Sequence, residues 1–197
     1  MNKQDVIEFF DRLAPGWDAG IVTDDGKLNA ILDAAGVREG VTVLDVACGT
    51  GVLIPYYMER KAAGVLGVDI SPEMVRIAKA KNFPQKVRLV CGDVETLPVQ
   101  AQYDCCVVYN AFPHFEDPAR LVERLSYWVR PGGRLTVAHG MSLAALHRHH
   151  AGRAEHVSHE MLRPEALAQL LYPWFEVDVQ LADDEKYIVS GVRVERR

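Results

Sequence analysis

Five short runs of mostly Val and Leu constrain this chain more than any other feature. They lie at Val41–Ala47, Gly64–Asp69, Val87–Cys91, Tyr103–Tyr109 and Gly133–His139. Each is nearly continuous rather than strictly alternating, which is how strands covered on both faces read. Helical patterns separate most of them, at Val52–Lys61, Pro72–Lys81 and Pro118–Val129. Ser71-Pro72 places a capping hydroxyl ahead of a proline at the first helical position. Strand and helix in alternation specify a parallel sheet with helices on both faces. Two last runs, Phe175–Leu181 and Tyr187–Val194, do alternate, and the acidic turn Ala182–Glu185 joins them. They predict an antiparallel pair at the end of the sheet.

Two helices precede the first run. Val6, Phe9, Phe10 and Leu13 recur at helical spacing, and Pro15-Gly16 is expected to stop that helix. Leu28, Ile31, Leu32 and Ala35 form a second stripe closed by Gly36. The expected organisation is one α/β domain over residues 37–197, doubly wound, with residues 1–36 as an N-terminal helical lid or arm. A chain of 197 residues is long enough to bury a proper core. Its 49% hydrophobic and 25% charged residues exclude disorder.

Net charge excludes another class. At −5, the chain lacks the broad basic footprint that neutralises phosphates, so no nucleic-acid partner is expected. No apolar run approaches the 18 or so residues of a membrane span. Acidic residues interrupt the N-terminus early, so no secretory leader is read there. Cys48, Cys91, Cys105 and Cys106 form neither a disulfide framework nor a CxxC metal pattern. A cytoplasmic protein with reduced thiols is the expectation. The oligomeric state is left open.

Ligands of open parallel sheets bind at the carboxyl ends of the strands, so the residues after each run carry the functional signal. After the first run the chain reads Asp45-Val-Ala-Cys-Gly49-Thr-Gly51 and enters a helix. Glycines let the backbone turn tightly beside the free N–H groups of a helix N-terminus. A dinucleotide fingerprint wants a third glycine where Ile54 stands. Asp45 would also repel a diphosphate while attracting an ammonium or sulfonium. After the second run Asp69 is placed to accept from two ribose hydroxyls. After the third come Asp93, an acceptor for an adenine amino group, and Val94 against the ring. Asn110-Ala-Phe-Pro-His114-Phe115 follows the fourth.

Taken together, DVACGTG, GVDIS, GDVETLP, YDCCVVYNAF and VRPGG resemble the class I S-adenosylmethionine (SAM)-dependent methyltransferase family, in its order and at its spacings. The resemblance is strongest over Val41–His139. The opening FFDRLAPGWD is similar to the lid of its small-molecule branch, including the quinone-biosynthesis C-methyltransferases. It implies a Rossmann-like sheet of seven strands, mostly parallel with one antiparallel strand, in the order 3-2-1-4-5-7-6. It also implies SAM contacts from Asp45, Gly49, Gly51, Asp69, Asp93 and Val94, with the Asn110 backbone near the sulfonium. Ile70 and Met74 are expected against the adenosine. The reaction implied is methyl transfer to a small-molecule thiol, hydroxyl, amine or activated carbon, leaving S-adenosylhomocysteine (SAH). Base methylation in DNA is disfavoured, because the (N/D)PP(Y/F) pattern is replaced by Asn110-Ala-Phe-Pro. Two rival readings are a SAM-binding module without turnover and a nicotinamide oxidoreductase, which Ile54 and Asp45 oppose.

Six of the seven histidines fall between His139 and His159. His114 and His139 follow strands and are the catalytic candidates, as bases or substrate hydrogen-bonding groups. On a helix over 142–150, His147 and His150 share a face. With Trp17 from the lid, these four histidines are the candidate substrate residues. No metal is required by the sequence, though three histidines converging from His114, His139, His147 and His150 would make a zinc or iron site. The alternative is a polar helix with solvated histidines.

Overall fold

The computed structural model describes residues 2–150 and 155–195, with the backbone alone described at His149, His150 and Glu155. Its strands are β1 (Thr42–Val46), β2 (Gly64–Asp69), β3 (Val87–Cys91), β4 (Tyr103–Tyr109), β5 (Val129–His139), β6 (Phe175–Ala182) and β7 (Tyr187–Arg193). They form one sheet in the order β3-β2-β1-β4-β5-β7-β6. β7 runs antiparallel to β5 and β6, while the other neighbours pair parallel. The expected Rossmann-like order is therefore the observed one. β5 starts at Val129 rather than Gly133, because Val129 pairs with Tyr103 before an irregularity between Tyr103 and Cys105.

The helices are α1 (Lys3–Trp17), α2 (Asp25–Ala34), α3 (Ile54–Glu59), α4 (Pro72–Ala80), α5 (Pro118–Trp128), α6 (Leu143–His150) and α7 (Pro164–Leu171). Carboxylate caps start several: the Asp24 side chain accepts from Lys27 N, and Asp117 from Arg120 N. Ser71 caps α4 as expected, its hydroxyl accepting from Met74 N. One boundary is corrected. α1 does not stop at Pro15-Gly16 but runs on to Trp17. A proline this close to a helix end forfeits one backbone hydrogen bond, and Trp17, edge-on to Phe10 at 5.8 Å, anchors the last turn.

Period-two alternation sorts the central strands between two apolar layers. Leu44, Val46, Cys106 and Val108 face Leu121, Leu125 and Trp128 of α5 and Leu167 and Leu171 of α7. Val43, Cys105 and Val107 face Leu28 and Leu32 of α2 and Ile54 and Tyr57 of α3. Cys105 and Cys106 thus point to opposite faces and are free thiols, as is Cys48; Cys91 is exposed. Each fully buried Leu contributes about 1.5–3 kcal/mol relative to exposure. Of the two N-terminal helices, α2 is built into a core layer, with Ile31 and Leu32 at 0% exposure. α1 lies against α4 and buries just Val6 and Ala14.

Candidate cofactor and acceptor site

The carboxyl ends of β1, β2, β3, β4 and β5 open into a cavity of about 850 Å³, closed on one side by α1. Asp45, Gly49, Asp69, Ile70, Met74, Asp93, Val94 and Asn110 all line it. Gly51 does not. It sits behind the loop, where a Cβ would stand 2.8 Å from Ile54 Cδ1 and 3.0 Å from Phe83. Its φ of +83° also disfavours any side chain. Gly49 faces the open side, where a Cβ would meet nothing nearer than Met74 Sδ and Trp17 Nε1, both at 4.0 Å. The loop is thus packed tightly behind and left clear in front, the shape needed for a ligand to approach backbone.

Asp69 joins two strand ends. Its Oδ2 accepts from Gly49 N and its Oδ1 from Ser71 N, both at 2.8 Å. Each carboxylate oxygen retains a second lone pair for a ribose hydroxyl. Burial pushes this carboxyl up, the two N–H bonds oppose the shift, and Asp11 adds to it. Asp93 is held likewise: Oδ1 accepts from Glu95 N at 2.9 Å and Oδ2 from Lys3 Nζ at 2.6 Å. Asn110 lies in the left-handed region at φ +53°. Its N donates to Ala138 O and its Oδ1 accepts from Gly140 N. The side chain is therefore used to join the ends of β4 and β5, leaving the backbone to face the cavity.

Asp45 lies within β1 rather than in the turn after it, 2% exposed. No described group meets its Oδ2 at hydrogen-bond geometry. Burial pushes its carboxyl up to about 8, against a pull from the Tyr57 hydroxyl and with a further push from Asp69. No cation among the described residues offsets that burial. A buried, unpaired carboxyl oxygen beside a clear glycine loop fits a cationic ligand, as the ammonium and sulfonium of SAM are.

The rest of the cavity is mostly apolar. Phe9, Phe10, Leu13, Phe115, Met141 and Leu146 line it with Trp17, His114 and His139. Phe10 packs edge-on against His114 at 4.9 Å. His114 Nδ1 lies 2.8 Å from Val157 O. A carbonyl only accepts, so Nδ1 carries a proton and donates to it. His139, 1% exposed, ends β5 beside Tyr187. His147 is not brought into the cavity. Its Nε2 meets Met161 O at 3.1 Å, and Nδ1 lies 3.4 Å from Glu160. The side chain of His150 lies outside the described residues. Among the described residues no group of three or more His, Cys, Asp or Glu is placed to hold a metal. Sequence reasoning missed Lys3, Met141 and Leu146. Lys3 is one exposed-looking cation near the start of a helix, and Leu146 reads as plain core.

Residues 44–137 match the protein family described as Methyltransferase domain. Over those residues the chain carries a methyltransferase domain, the region in which the strand-end motifs lie. Among curated relatives, it is 27% identical over 139 residues to a malonyl-[acyl-carrier protein] O-methyltransferase of Priestia megaterium, covering 68% of this chain and 51% of that one. It is 28% identical over 143 residues to a ubiquinone biosynthesis O-methyltransferase of Coxiella burnetii, covering 68% and 61%. The chain therefore spans between half and two thirds of these relatives' lengths. Among solved structures, it superposes with a TM-score of 0.82 on a chain from the complex of the Haloferax volcanii Trm112 methyltransferase activator with a methyltransferase. That match is 22% identical and covers 98% of this chain and 99% of that one, and it shows the fold. Among the described residues no helix is long and apolar enough to cross a membrane.

Proposed function

We propose that this chain transfers the methyl group of SAM to a hydroxyl on a small molecule with an apolar body, with His114 accepting the hydroxyl proton. SAM supplies a methyl carbon that is already electrophilic. What remains for the protein is to hold a nucleophile in line with the carbon–sulfur bond and to exclude water. Positioning of that kind is worth on the order of 7–11 kcal/mol at best. Asp69 and Asp93 hold the adenosine, Asp45 faces the cationic end, and the Asn110 backbone borders the reacting centre. Phe9, Phe10, Phe115 and Met141 pack on the acceptor and shield it. His139 orients it from the end of β5, and Trp17, beside Gly49, covers the cofactor loop as much as the acceptor.

The observation that carries this reading is His114. Its Nδ1 donates to Val157 O, and it stands in the apolar half of a cavity whose other half is built for a cation. The two curated relatives named above carry O-methylation in their names, which supports an oxygen acceptor over an amine. A protein activator like that of the Haloferax structure is a separate proposal, which SAH release from the chain alone would make unnecessary.

The test is SAH release from purified protein with phenols, alcohols, thiols and amines offered in parallel, with and without EDTA. Release with hydroxyl acceptors is expected, insensitive to chelation. His114→Ala should lower turnover by about 10²–10⁴-fold while SAH affinity holds. Turnover with amines alone would overturn the hydroxyl assignment. SAM binding without SAH release from any acceptor would favour a non-catalytic module.

A further inference from the structure

We infer that Lys3 is a positioning residue that couples closure of α1 to recognition of the adenine ring. The inference rests on the SAM-binding reading above and assigns a role to a residue outside the strand-end motifs.

Lys3 is the sole Lys or Arg among the described residues lining the cavity. Its Nζ bridges Asp93 at 2.6 Å and Glu95 at 2.7 Å. Two further links join the same helix to the cofactor loops. Asp11 of α1 accepts from the Ser71 hydroxyl at 2.5 Å and from Glu73 N at 3.2 Å. Asp18, at the end of α1, accepts from the Thr50 hydroxyl at 2.5 Å and pairs with Lys81 at 2.8 Å. The segments after β1, β2 and β3 are each touched by one polar group from α1 or its end. They are the segments that hold the methionine, ribose and adenine portions of the cofactor.

Lys3 differs from the other two links in what it touches. Asp11 and Asp18 bond to capping and loop groups, whereas Lys3 bonds to the carboxylate assigned to the adenine amino group. With Lys3 in place, Asp93 is fixed by one bond on each oxygen and keeps a lone pair on each for the ring. When α1 lifts, one N–H bond from Glu95 remains and the carboxylate is free to turn. Adenine is then read well only under a closed α1, and a bound adenine favours closure in return. Glu95 is not orphaned by the loss of Lys3, because Arg120 holds it at 2.8 Å. Removing the lysine therefore perturbs recognition without stranding a buried charge.

The experiment compares binding of SAH and of S-inosylhomocysteine, which carries a 6-oxo group in place of the amino group, by calorimetry. Wild type, Lys3→Met and Lys3→Arg are measured at low and high salt. For Lys3→Met, SAH affinity should fall about 3- to 10-fold, the range for a partly exposed ion pair that also orients an acceptor. The preference for SAH over the inosine analogue should shrink by the same factor. Lys3→Arg should restore both, and added salt should weaken SAH binding in wild type more than in Lys3→Met. Equal loss for the two ligands would make Lys3 a structural tether of α1 and overturn the inference. No loss for either would overturn it as well. Failure of wild type to bind SAH at all would instead sink the cofactor reading itself.

Discussion

Ala47 is held at φ +54°, in the left-handed region, on the turn between β1 and the glycine loop. For a residue with a Cβ this conformation costs roughly 1–2 kcal/mol. Its partner in strain is Asn110, across the cavity at the end of β4. Strain persists where the surroundings over-determine it, and both residues border the cavity. Ala47→Gly should therefore raise thermal stability, by about 1 kcal/mol in a denaturant titration. A loss of stability would mean that the Ala47 methyl packs for more than the strain costs. Asp45 carries a second residue-scale prediction. Its carboxyl is raised from 3.8 to about 8 by burial, so between those values the folded state binds more protons than the unfolded one. By linkage, stability falls as pH rises through that window, and the contribution is fully present only below it. Urea midpoints measured from about pH 5 to 8 should decline in wild type and decline less in Asp45→Asn. Saturating SAM, a cation beside the carboxyl, should also flatten the slope, and SAH should flatten it less.

At the scale of elements, the runs that bury both faces were legible residue by residue. β2, β3 and β4 match the sequence boundaries; β2 and β4 do so because a doubly covered strand stays largely apolar until it ends, whereas β3 is an edge strand with Arg88 and Cys91 exposed. α1 and α7 were less legible, for different reasons. The Pro15-Gly16 stop was overridden by the packing of Trp17, a tertiary contact with no local signature. α7 was not anticipated, because it is short and follows a histidine-rich segment without clear periodicity. The site divides similarly. The placement of Asp45, Asp69, Asp93 and Gly49 at the cavity was readable because topology fixes where strand ends go, whereas Gly51 packs behind the loop. His147 shares the histidine-rich segment with His139, yet α6 turns it toward Met161 O. Gly67 shows what sequence spacing conceals. It lies inside β2, where a Cβ would stand 2.7 Å from Leu89 Cδ2 and 2.9 Å from Cys48 Sγ. The glycine lets the loop after β1 settle onto the strand. Gly67→Ala should destabilise by about 1–3 kcal/mol through overpacking. It should also weaken SAH binding, because Cys48 adjoins Gly49. Weakened stability with unchanged SAH affinity would show that the loop holds its shape independently of β2.

The molecule as a whole is unevenly built. α5 buries Leu121, Val122, Leu125, Ser126 and Trp128 within 11 residues, whereas α1 buries Val6 and Ala14 within 15. Around α1 the links are polar and partly exposed: Lys3, Lys81 and Asp18 are each between 32% and 44% exposed at the side chain. Exposed pairs of this kind contribute roughly 0–1 kcal/mol each. Regions with few buried apolar contacts open well below the global unfolding free energy. α1 is therefore the element expected to lift without unfolding the sheet, and on the proposed SAM-binding reading lifting it would expose the cavity for exchange of SAM and SAH. Ligand at about 100 times its Kd stabilises the folded state by about 2.7 kcal/mol. On the proposed closure of α1 over the ligand, closure shares in that gain. Hydrogen exchange should show amides of Lys3–Trp17 exchanging fast without ligand and slowing markedly with SAH, while the slow amides of β1 and β4 change by no more than the global gain. Protection of α1 equal to that of β4 before any ligand is added would make the helix a fixed wall, and the cofactor would then have to enter through the apolar half.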